Sequence, residues 1–379
     1  GGGSGGNGAI GQNAIRTDRN CTIAPRQGGA GGANSCSGVS TAGGRGGEAH
    51  CPRSASDNLA GDTWPYCDTR LSNSTAPTHL MCLNICDTED CHALRRPPPQ
   101  GVGDPGANNG GSDEGEGGGP TYDTVTIDGS GTQCHNAPGT PAVGNPGENG
   151  VDGAAGSAGS GCSDVHGQVD GSGLWLPPSS SGGAVGVHGG GGGGGSAGRG
   201  YDINPSDSNA QDTVGGSGGG GGAGGCAGTG GGAGTGGGSS FAVFMYFDAS
   251  LPSAPVLDGN TIVPGDGGDG GAGGPGALGG LGGVGASGGT SSQFCGYPGG
   301  RGGNGGRGGP GGGGGGGCGG SSFGVFVERG GNSFSVTGYT SANTILDEGD
   351  PGRGGDGGSS TGNQGQDGAP GVREPLYAP

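Results

Sequence analysis

The sequence lacks lysine and long apolar runs, and it has few aromatic residues. All 14 basic residues are arginine, and 32 acidic residues bring the net charge to −18. Without lysine there is no Walker-type phosphate grip and no Schiff-base chemistry, and an acidic surface disfavours nucleic acid and anionic lipid. No apolar run approaches the roughly 18 residues of a membrane-spanning helix. We therefore expect no nucleic-acid partner and no membrane insertion.

Apolar side chains are scarce, and glycine takes their place. Hydrophobic residues make up 27% of the chain and aromatic residues 4%, whereas 116 of the 379 residues are glycine, about four times the usual share. Each glycine inside a helix costs about 1 kcal/mol relative to alanine, so the composition predicts very little α-helix. The six histidines are scattered and no catalytic constellation is present. We expect a protein that is not an enzyme.

The glycines recur at every third position over long tracts. Tracts with this period include 144–159, 183–198, 219–237, 267–288 and 296–320. Three residues per turn is the period of an extended helix without internal hydrogen bonds, so its backbone groups must pair with neighbouring tracts. Facing positions then cannot carry a Cβ atom, and tracts of glycine alone should lie inside. We predict bundles of long polyglycine-II helices, since proline is too sparse for collagen.

Short β-strand patterns alternate with these tracts from residue 121 onward, and they repeat. Ser-Ser-Phe-Ala-Val-Phe at 239–244 recurs as Ser-Ser-Phe-Gly-Val-Phe at 321–326, an offset of 82. Asn-Thr-Ile recurs at an offset of 83, and a following Pro-Gly and Asp-Gly pattern recurs at an offset of 87, which matches Asp269 with Asp356. Such repeats stack along one dimension. The predicted fold is mostly β and irregular: a small solenoid or sandwich of short strands, with long polyglycine-II insertions and disulfide stabilisation.

One strand pattern, at 241–247, offers an edge for assembly. Strict alternation predicts one shared face. That face carries Phe241, Val243, Met245 and Phe247. An unpaired edge strand invites a partner strand, so we predict that this strand takes part in self-assembly.

A stripe of apolar residues lies on the tract 267–288. Leu278, Leu281 and Val284 recur at every third position and so fall on one face. The stripe either docks its tract on the rest of the chain or contacts another molecule. The sequence alone leaves both roles open.

The 12 cysteines predict a chain from an oxidising compartment. The disulfide candidates are Cys21, Cys36, Cys51, Cys67, Cys82, Cys86, Cys91, Cys134, Cys162, Cys226, Cys295 and Cys318. Seven lie in the first hundred residues and five beyond them, so complete internal pairing requires a bond between the two parts. Otherwise one thiol of each part is free or joins another subunit. The spacing of the cysteines between His79 and His92 matches no zinc pattern, so we predict no metal there.

Composition divides the chain into three parts. These are a Cys-rich head at 1–100, an acidic Gly/Pro-rich linker at 101–120 and a domain of repeated strands and tracts at 121–379. The chain begins with glycine and shows no signal peptide, so we expect a mature secreted or cell-surface protein whose targeting segment has been removed. Asn20 and Asn73 begin glycosylation sequons.

We expect no cofactor for this chain. The Gly-Asp pattern around Asp266 and Asp269 suggests calcium as the one ion to consider. The nonapeptide phase of calcium-binding repeats is not kept there, and solvated turn aspartates explain the pattern more simply.

The Gly-x-x tracts resemble the polyglycine-helix bundles of snow flea antifreeze proteins and of phage tail-tip adhesins. Together with the Phe-Gly-Val-Phe and Asn-Thr-Ile strands, they look like large secreted glycine-rich proteins of myxobacteria-like bacteria. The resemblance covers residues 121–379.

The main prediction for function is a non-enzymatic extracellular structural protein that assembles with itself into a surface fibre, filament or coat. The first alternative is an adhesin that binds surface glycans through loops such as 64–66, 174–178 or 297–298. The second alternative is an ice-binding protein, although aspartate and arginine stripes on two tracts spoil the flat, lightly polar face that ice binding requires.

Overall fold

The described part of the chain consists of extended segments with very little helix. The structure is a computed structural model that describes residues 3, 5–13, 15–16, 24–49, 101–107, 117, 143–200, 213–248, 253–293 and 296–379. These residues contain one helix of four residues, α1 (Gly338–Ser341). None of their helices is long and apolar enough to cross a membrane. The predicted scarcity of helix is confirmed.

Eleven short strands lie in the described ranges. In chain order they are β1 (Ile15–Arg16), β2 (Ser35–Cys36), β3 (Val39–Ser40), β4 (Gln168–Val169), β5 (Trp175–Leu176), β6 (Thr213–Val214), β7 (Ser240–Tyr246), β8 (Thr261–Ile262), β9 (Ser322–Glu328), β10 (Thr344–Ile345) and β11 (Arg373–Tyr377). Strands β1 and β6, β2 and β3, and β4 and β5 pair antiparallel, whereas β8 and β10 pair parallel. The largest sheet is parallel, in the order β11-β9-β7.

Between the strands the chain runs as extended tracts, most of them rich in glycine. We label them T1 (3–12, without residue 4), T2 (28–32), T3 (41–47), T4 (101–107), T5 (144–162), T6 (181–200), T7 (215–238), T8 (267–289), T9 (298–320), T10 (350–359) and T11 (363–372). None of them is assigned to helix or sheet. Their backbone groups must therefore be satisfied by other segments.

Backbone hydrogen bonds join neighbouring tracts at every third residue. T7 donates seven of them to T9, from Gly219 to Gly237, and an eighth from Gly216 to Tyr297, which directly precedes T9; the two tracts run parallel. T8 donates eight to T7, from Gly268 to Gly289, and this pair runs antiparallel. The N···O distances of both sets are 2.7–2.9 Å, which is ordinary hydrogen-bond geometry. The three-residue period of the sequence is thus also the period of the hydrogen bonds.

T9 lies at the centre of this arrangement. The consecutive amides of Gly311, Gly312 and Gly313 donate to T8, T6 and T11, while T9 carbonyls accept from T5, T7 and T10. Six tracts therefore surround T9. The glycine-only segments 189–195 and 311–317 are buried throughout, which is where the sequence predicts tracts without side chains.

Two small apolar clusters add to this backbone packing. The first consists of Ala49, Ala197 and Val214, with Ile15 packed against it. The second, the Val325 cluster, lies on one face of the three-stranded sheet. Its buried members are Ile262, Val325, Val327 and Tyr339. Side chains therefore form a core at the sheet, whereas the tracts are held by their backbones.

The three-stranded sheet stacks the sequence repeat in register. Phe241 of β7 lies opposite Phe323 of β9, and Phe244 lies opposite Phe326, so the predicted offset of 82 is the register of the parallel pair. β11 pairs with the other side of β9, where Tyr377 lies opposite Phe326. The repeat pattern does not predict β11, because Arg-Glu-Pro-Leu-Tyr keeps little of the pattern of the other two strands.

The faces of β7 differ from the predicted strict alternation. The Phe241 ring lies 5.3 Å from the Phe244 ring, between centroids, whereas Val243 and Met245 pack against the Val325 cluster on the other face. The ladder of paired residues skips one position in each strand. These positions are Ala242, Gly324 and Pro375. An unpaired residue resets the alternation, as in a β-bulge, so the prediction that Phe241 shares a face with Val243 and Met245 is wrong.

The register between T8 and T10 also differs from the sequence alignment. The Arg353 amide donates to the Asp269 carboxylate at 2.7 Å, an offset of 84. The alignment at an offset of 87 would instead match Asp269 with Asp356. The two registers differ by three residues, which is one glycine period, so both keep the glycines in phase. The stacked strands upstream, β8 and β10, pair at an offset of 83 and favour the shorter register.

The described parts of the predicted head and linker lie against tracts of the repeat domain. The Cys226 amide of T7 donates to Gly3 of T1, and the Gly221 amide donates to Gly44 of T3. T4, from the predicted linker, bonds to both T3 and T6. Residues 50–100 of the head lie outside the described residues, so the division into three parts stays a prediction.

Candidate functional site

Two disulfides join distant parts of the described chain. Cys36 pairs with Cys226 and connects the β2–β3 hairpin to T7, while Cys162 pairs with Cys318 and connects T5 to T9. The first links the head to the repeat domain, which is the kind of bond that complete internal pairing requires. The other disulfide candidates and both sequons lie outside the described residues, namely Cys21, Cys51, Cys67, Cys82, Cys86, Cys91, Cys134, Cys295, Asn20 and Asn73.

Surface aspartates and asparagines bond to the backbone of neighbouring tracts. Asp266 and Asp269, the calcium-like pair, accept the amides of Asp350 and Arg353, each at 2.7 Å. Asn7 accepts the Val284 amide in the same way, at 2.9 Å. No group of three or more His, Cys, Asp or Glu side chains among the described residues could hold a metal ion. These carboxylates and amides therefore cap outward-facing N–H groups, a role that sequence reasoning missed.

The aromatic side chains of the large sheet form a ladder across its three strands. Phe241 stacks on Phe323 and Phe244 stacks on Phe326, each with 5.4 Å between ring centroids. Tyr377 adds a third level, 5.5 Å from Phe326. Phe323 and Phe326 are buried, whereas Phe244 is 37% exposed. The ladder therefore ends in an exposed ring on β7.

The two outer strands of this sheet are not equivalent. Within the described residues, no strand pairs with the outer edge of β7, the predicted assembly strand. β11, at the opposite edge, contains Pro375, which has no N–H to offer a further strand. Its Arg373 side chain is also held by Asp347 at 2.8 Å and Asp350 at 2.5 Å. The edge of β7 is thus the one better suited to accept a partner strand.

The β4–β5 hairpin packs against the aromatic ladder. The Trp175 ring meets Phe241 edge-on at 5.6 Å, and its indole N–H donates to the His166 carbonyl at 3.1 Å. Hydrogen bonds from the Ser172 hydroxyl and from the Leu174 and Ser172 amides lower the pKa of Asp170 in the turn. Trp175, which lies in a predicted contact loop, is therefore mainly a packing residue of the ladder.

His166 lies at the β11 side of the ladder. Its ring stacks on Tyr377 with 4.1 Å between centroids, and its Nε2 atom lies 2.9 Å from a Glu374 oxygen. Burial, with further contributions from Asp164, Glu374 and Glu328, raises the pKa of Tyr377 above its ordinary value near 10. These contacts hold the His166 ring against β11 at this end of the sheet.

A groove of about 550 Å³ opens beside the hairpin. Leu176, Pro177 and Pro178 supply apolar surface, and Gln168 and several serines supply hydroxyl and amide groups. Residues 176–178 of the predicted contact loop 174–178 therefore line this groove. Of the other two predicted loops, 64–66 lies outside the described residues, and Tyr297 of 297–298 packs against the guanidinium of Arg199 at 4.8 Å.

The apolar stripe of T8 forms an exposed ridge. Leu278, Leu281 and Val284 are 61%, 58% and 52% exposed, and Ile10 on the adjacent T1 is 72% exposed. T8 is attached through its backbone bonds to T7, T9 and T10, so the predicted role of these side chains in docking their own tract is wrong. Their contact with another molecule stays a prediction.

Comparisons with known proteins give no relative for this chain. No protein-family model, no curated protein and no solved structure matches it. Its function must therefore be argued from its own residues and geometry.

Proposed function

We propose that the chain is a non-enzymatic, extracellular structural subunit that assembles with further copies of itself into a fibre, filament or coat. In this proposal the tracts are polyglycine II helices and the stacked strands are the rungs of a short solenoid. The resemblances stated for the sequence agree with this interpretation.

The observation that carries the proposal is the aromatic ladder that ends at the outer edge of β7. Phe244 exposes a ring there, and no strand among the described residues pairs with this outer edge of β7. Sheet edges of this kind template the addition of another strand. Natural proteins usually blunt them with proline or charge, as β11 does with Pro375, whereas β7 carries Ser-Phe-Ala-Val-Phe-Met-Tyr.

The tracts supply the stiffness that a fibre or coat needs. T9 bonds to six neighbours through its backbone, and an extended three-residue helix rises about 3.1 Å per residue. Two disulfides join segments that are distant in sequence, and such bonds persist in oxidising compartments. Both features favour a rigid extracellular element.

Imaging of the purified protein tests this proposal. Negative-stain microscopy and sedimentation should show regular polymers whose amount rises with protein concentration. Reducing the disulfides should convert the polymers to smaller species, and so should diluting the protein. A protein that sediments as a monomer at high concentration under all oxidising conditions would contradict the proposal.

The groove beside the hairpin favours a second candidate function, an adhesin that binds glycans. Hydroxyl, amide and apolar groups line it together, and this mixture suits sugar rings. Gln168→Ala with Ser179→Ala should abolish binding on a glycan array, whereas Thr229→Ala, outside the groove, should not. Unchanged binding by the double variant would contradict this function. Ice binding, the other predicted alternative, has no comparable observation in its favour.

A further inference from the structure

The first half of T7 is surrounded by other tracts. Over 216–228 every backbone N–H donates a hydrogen bond. Successive amides donate to three different tracts in turn: Gly219 donates to T9, Gly220 to T1 and Gly221 to T3. Carbonyls of the same half accept from T8, T6 and T2. Six tracts therefore enclose this half of T7, as they enclose T9.

The second half of T7 is covered by T8, T9 and the start of T6, but no described tract continues the rows that T1 and T3 occupy. Over 229–238 the amides of Gly231, Gly234 and Gly237 donate, all to T9. Among the described residues the other amides of this half have no acceptor, because T1 and T3 extend no further along T7 than Cys226. These uncovered amides belong to Thr229, Gly230, Gly232, Ala233, Thr235, Gly236 and Gly238. They lead directly into the open edge of β7, and we call 229–238 with that edge the open seam.

At two positions of the open seam, packing inside the molecule does not require glycine. A Cβ atom added at Gly232 or Gly238 would meet no atom within 4 Å. In the enclosed half, by contrast, a Cβ at Gly221 would overlap the carbonyl of Gly192. Gly232 and Gly238 therefore leave bare backbone between the side chains of Thr229, Ala233 and Thr235, and a further tract could approach the seam at these two positions.

We propose that the open seam binds an extended Gly-x-x face of a second copy of this chain through backbone hydrogen bonds. The bound face would continue, over 229–238, the rows that T1 and T3 occupy over 216–228. This inference rests on the proposed self-assembly and adds the surface through which it occurs.

Residues 1–379 hold no further Gly-x-x tract that could occupy the seam, so we take the occupant from a second copy. The long stretches outside the described residues, 50–100, 108–116, 118–142 and 201–212, contain no three glycines in succession at a spacing of three. The long Gly-x-x tracts of the sequence all lie in the described bundle. Other molecules of the same protein carry such tracts and are present wherever this chain is.

The unbonded amides of the seam require a partner face that presents unbonded carbonyls. Among the described residues, the seam has seven amides without an acceptor and four carbonyls without a donor, those of Gly230, Ala233, Gly236 and Gly237, so two seams facing each other would leave an excess of donors unpaired. The partner must instead present carbonyls. The carbonyls of Asn149, Ala155 and Ala158 on T5 accept no hydrogen bond within the described structure, and they form a row of the required kind.

T5 also lies in the right place for repeated addition. T5 and T7 each bond to both T6 and T9, which bond to each other, so T5 and T7 lie on opposite sides of that pair. Both run parallel to T9. A copy that places its seam on T5 of the next copy leaves its own T5 free for another. Such a contact between unlike surfaces is heterologous and extends into a fibre unless the rotation closes a ring.

Two blocked variants test the seam and its partner face. Gly232→Val with Gly238→Val fills the seam without touching the rest of the molecule, and Ala154→Trp with Ser157→Trp covers T5 at two exposed positions. Gly338→Val is the control, because its added side chain also points into open space. Each protein is examined by sedimentation and light scattering, and thermal melting verifies that each is folded.

The expected result is that wild type and Gly338→Val form polymers, while each double variant alone stays monomeric. An equimolar mixture of the two double variants should give 1:1 dimers that grow no further, because each variant keeps the surface that the other has lost. In wild type, hydrogen exchange at 229–238 should slow on assembly, which requires no variant.

Three outcomes would overturn the proposal. Polymers of the seam variant that match those of wild type would reject the seam and leave the structural function standing. Dimers formed by the T5 variant alone would show that like surfaces pair. Wild-type protein that never assembles would reject both this inference and the proposed function.

Discussion

A single glycine of T9 shows how side chains are excluded from the bundle. A Cβ atom added at Gly314 would overlap the carbonyl oxygen of Gly232 on T7, and a backbone atom that is itself hydrogen-bonded has little freedom to move away. At Gly232 the added Cβ would meet open space. The two positions belong to the same pair of tracts, yet only one of them requires glycine.

Alanine at these two positions should therefore have opposite effects on stability. Gly314→Ala should lower the free energy of unfolding by about 1–3 kcal/mol or more, as overpacked sites do. Gly232→Ala should be neutral or raise it by about 0.4–1 kcal/mol, because alanine restricts the unfolded chain. Chemical denaturation at concentrations that keep the protein monomeric measures both. Equal effects would show that the tracts do not approach as closely as described.

Acidic residues also have a structural role at the scale of single side chains. Asp266 and Asp269 accept amides of the adjacent tract, and Asp152 does the same for Arg307 at 2.6 Å. The outer tracts lack a further neighbour on the solvent side, so a short acceptor side chain replaces it. This capping explains why aspartate and asparagine recur beside the glycines of the surface tracts.

At the scale of elements, the sequence predicts which segments repeat, but it does not predict how the tracts are arranged around one another. The three-residue period and the Phe-x-x-Phe repeat predict the tracts and the pairing of β7 with β9, since both depend on local pattern. The order of the tracts in the bundle is not predictable in the same way, because shifting a tract by three residues keeps its glycines in phase. An alternating pattern also does not predict the unpaired residue at Gly324, which changes the faces of the side chains that follow it, or the proline-containing strand β11.

The aromatic ladder should divide into a folding part and an assembly part. Phe326→Ala should lower the free energy of unfolding by about 3–5 kcal/mol, because the ring is buried. Phe244→Ala should cost less, since its ring is partly exposed, but it should weaken assembly. Denaturation of the monomer and sedimentation of the polymer separate the two effects. A Phe244→Ala variant that assembles like wild type would contradict the role of the β7 edge.

The two disulfides should stabilise different tracts. Cys36→Ser with Cys226→Ser should cost about 2–5 kcal/mol and speed amide exchange over 217–226, where T1 and T3 cover T7. Cys162→Ser with Cys318→Ser is the matched control and should speed exchange in T5 and the end of T9 instead. Exchange measured by mass spectrometry locates the change. Identical exchange patterns in the two variants would contradict this division.

At the scale of the whole molecule, the bundle has unequal sides. T9 is enclosed, T5 presents carbonyls outward, and the second half of T7 presents amides outward. In the proposed assembly, the amides of the open seam bond to the T5 carbonyls of the next copy, so copies add in one direction. In the proposed coat, the exposed ridge of Leu278, Leu281 and Val284 is a further surface through which such rows pack.

Site-resolved amide exchange along T7 in the monomer tests the central claim most directly. The account predicts slow exchange at nearly every amide of 216–228. Over 229–238 it predicts slow exchange at Gly231, Gly234 and Gly237 alone, with fast exchange at the amides between them. Uniform exchange along T7, fast or slow, would contradict both the three-residue hydrogen-bonding pattern and the open seam.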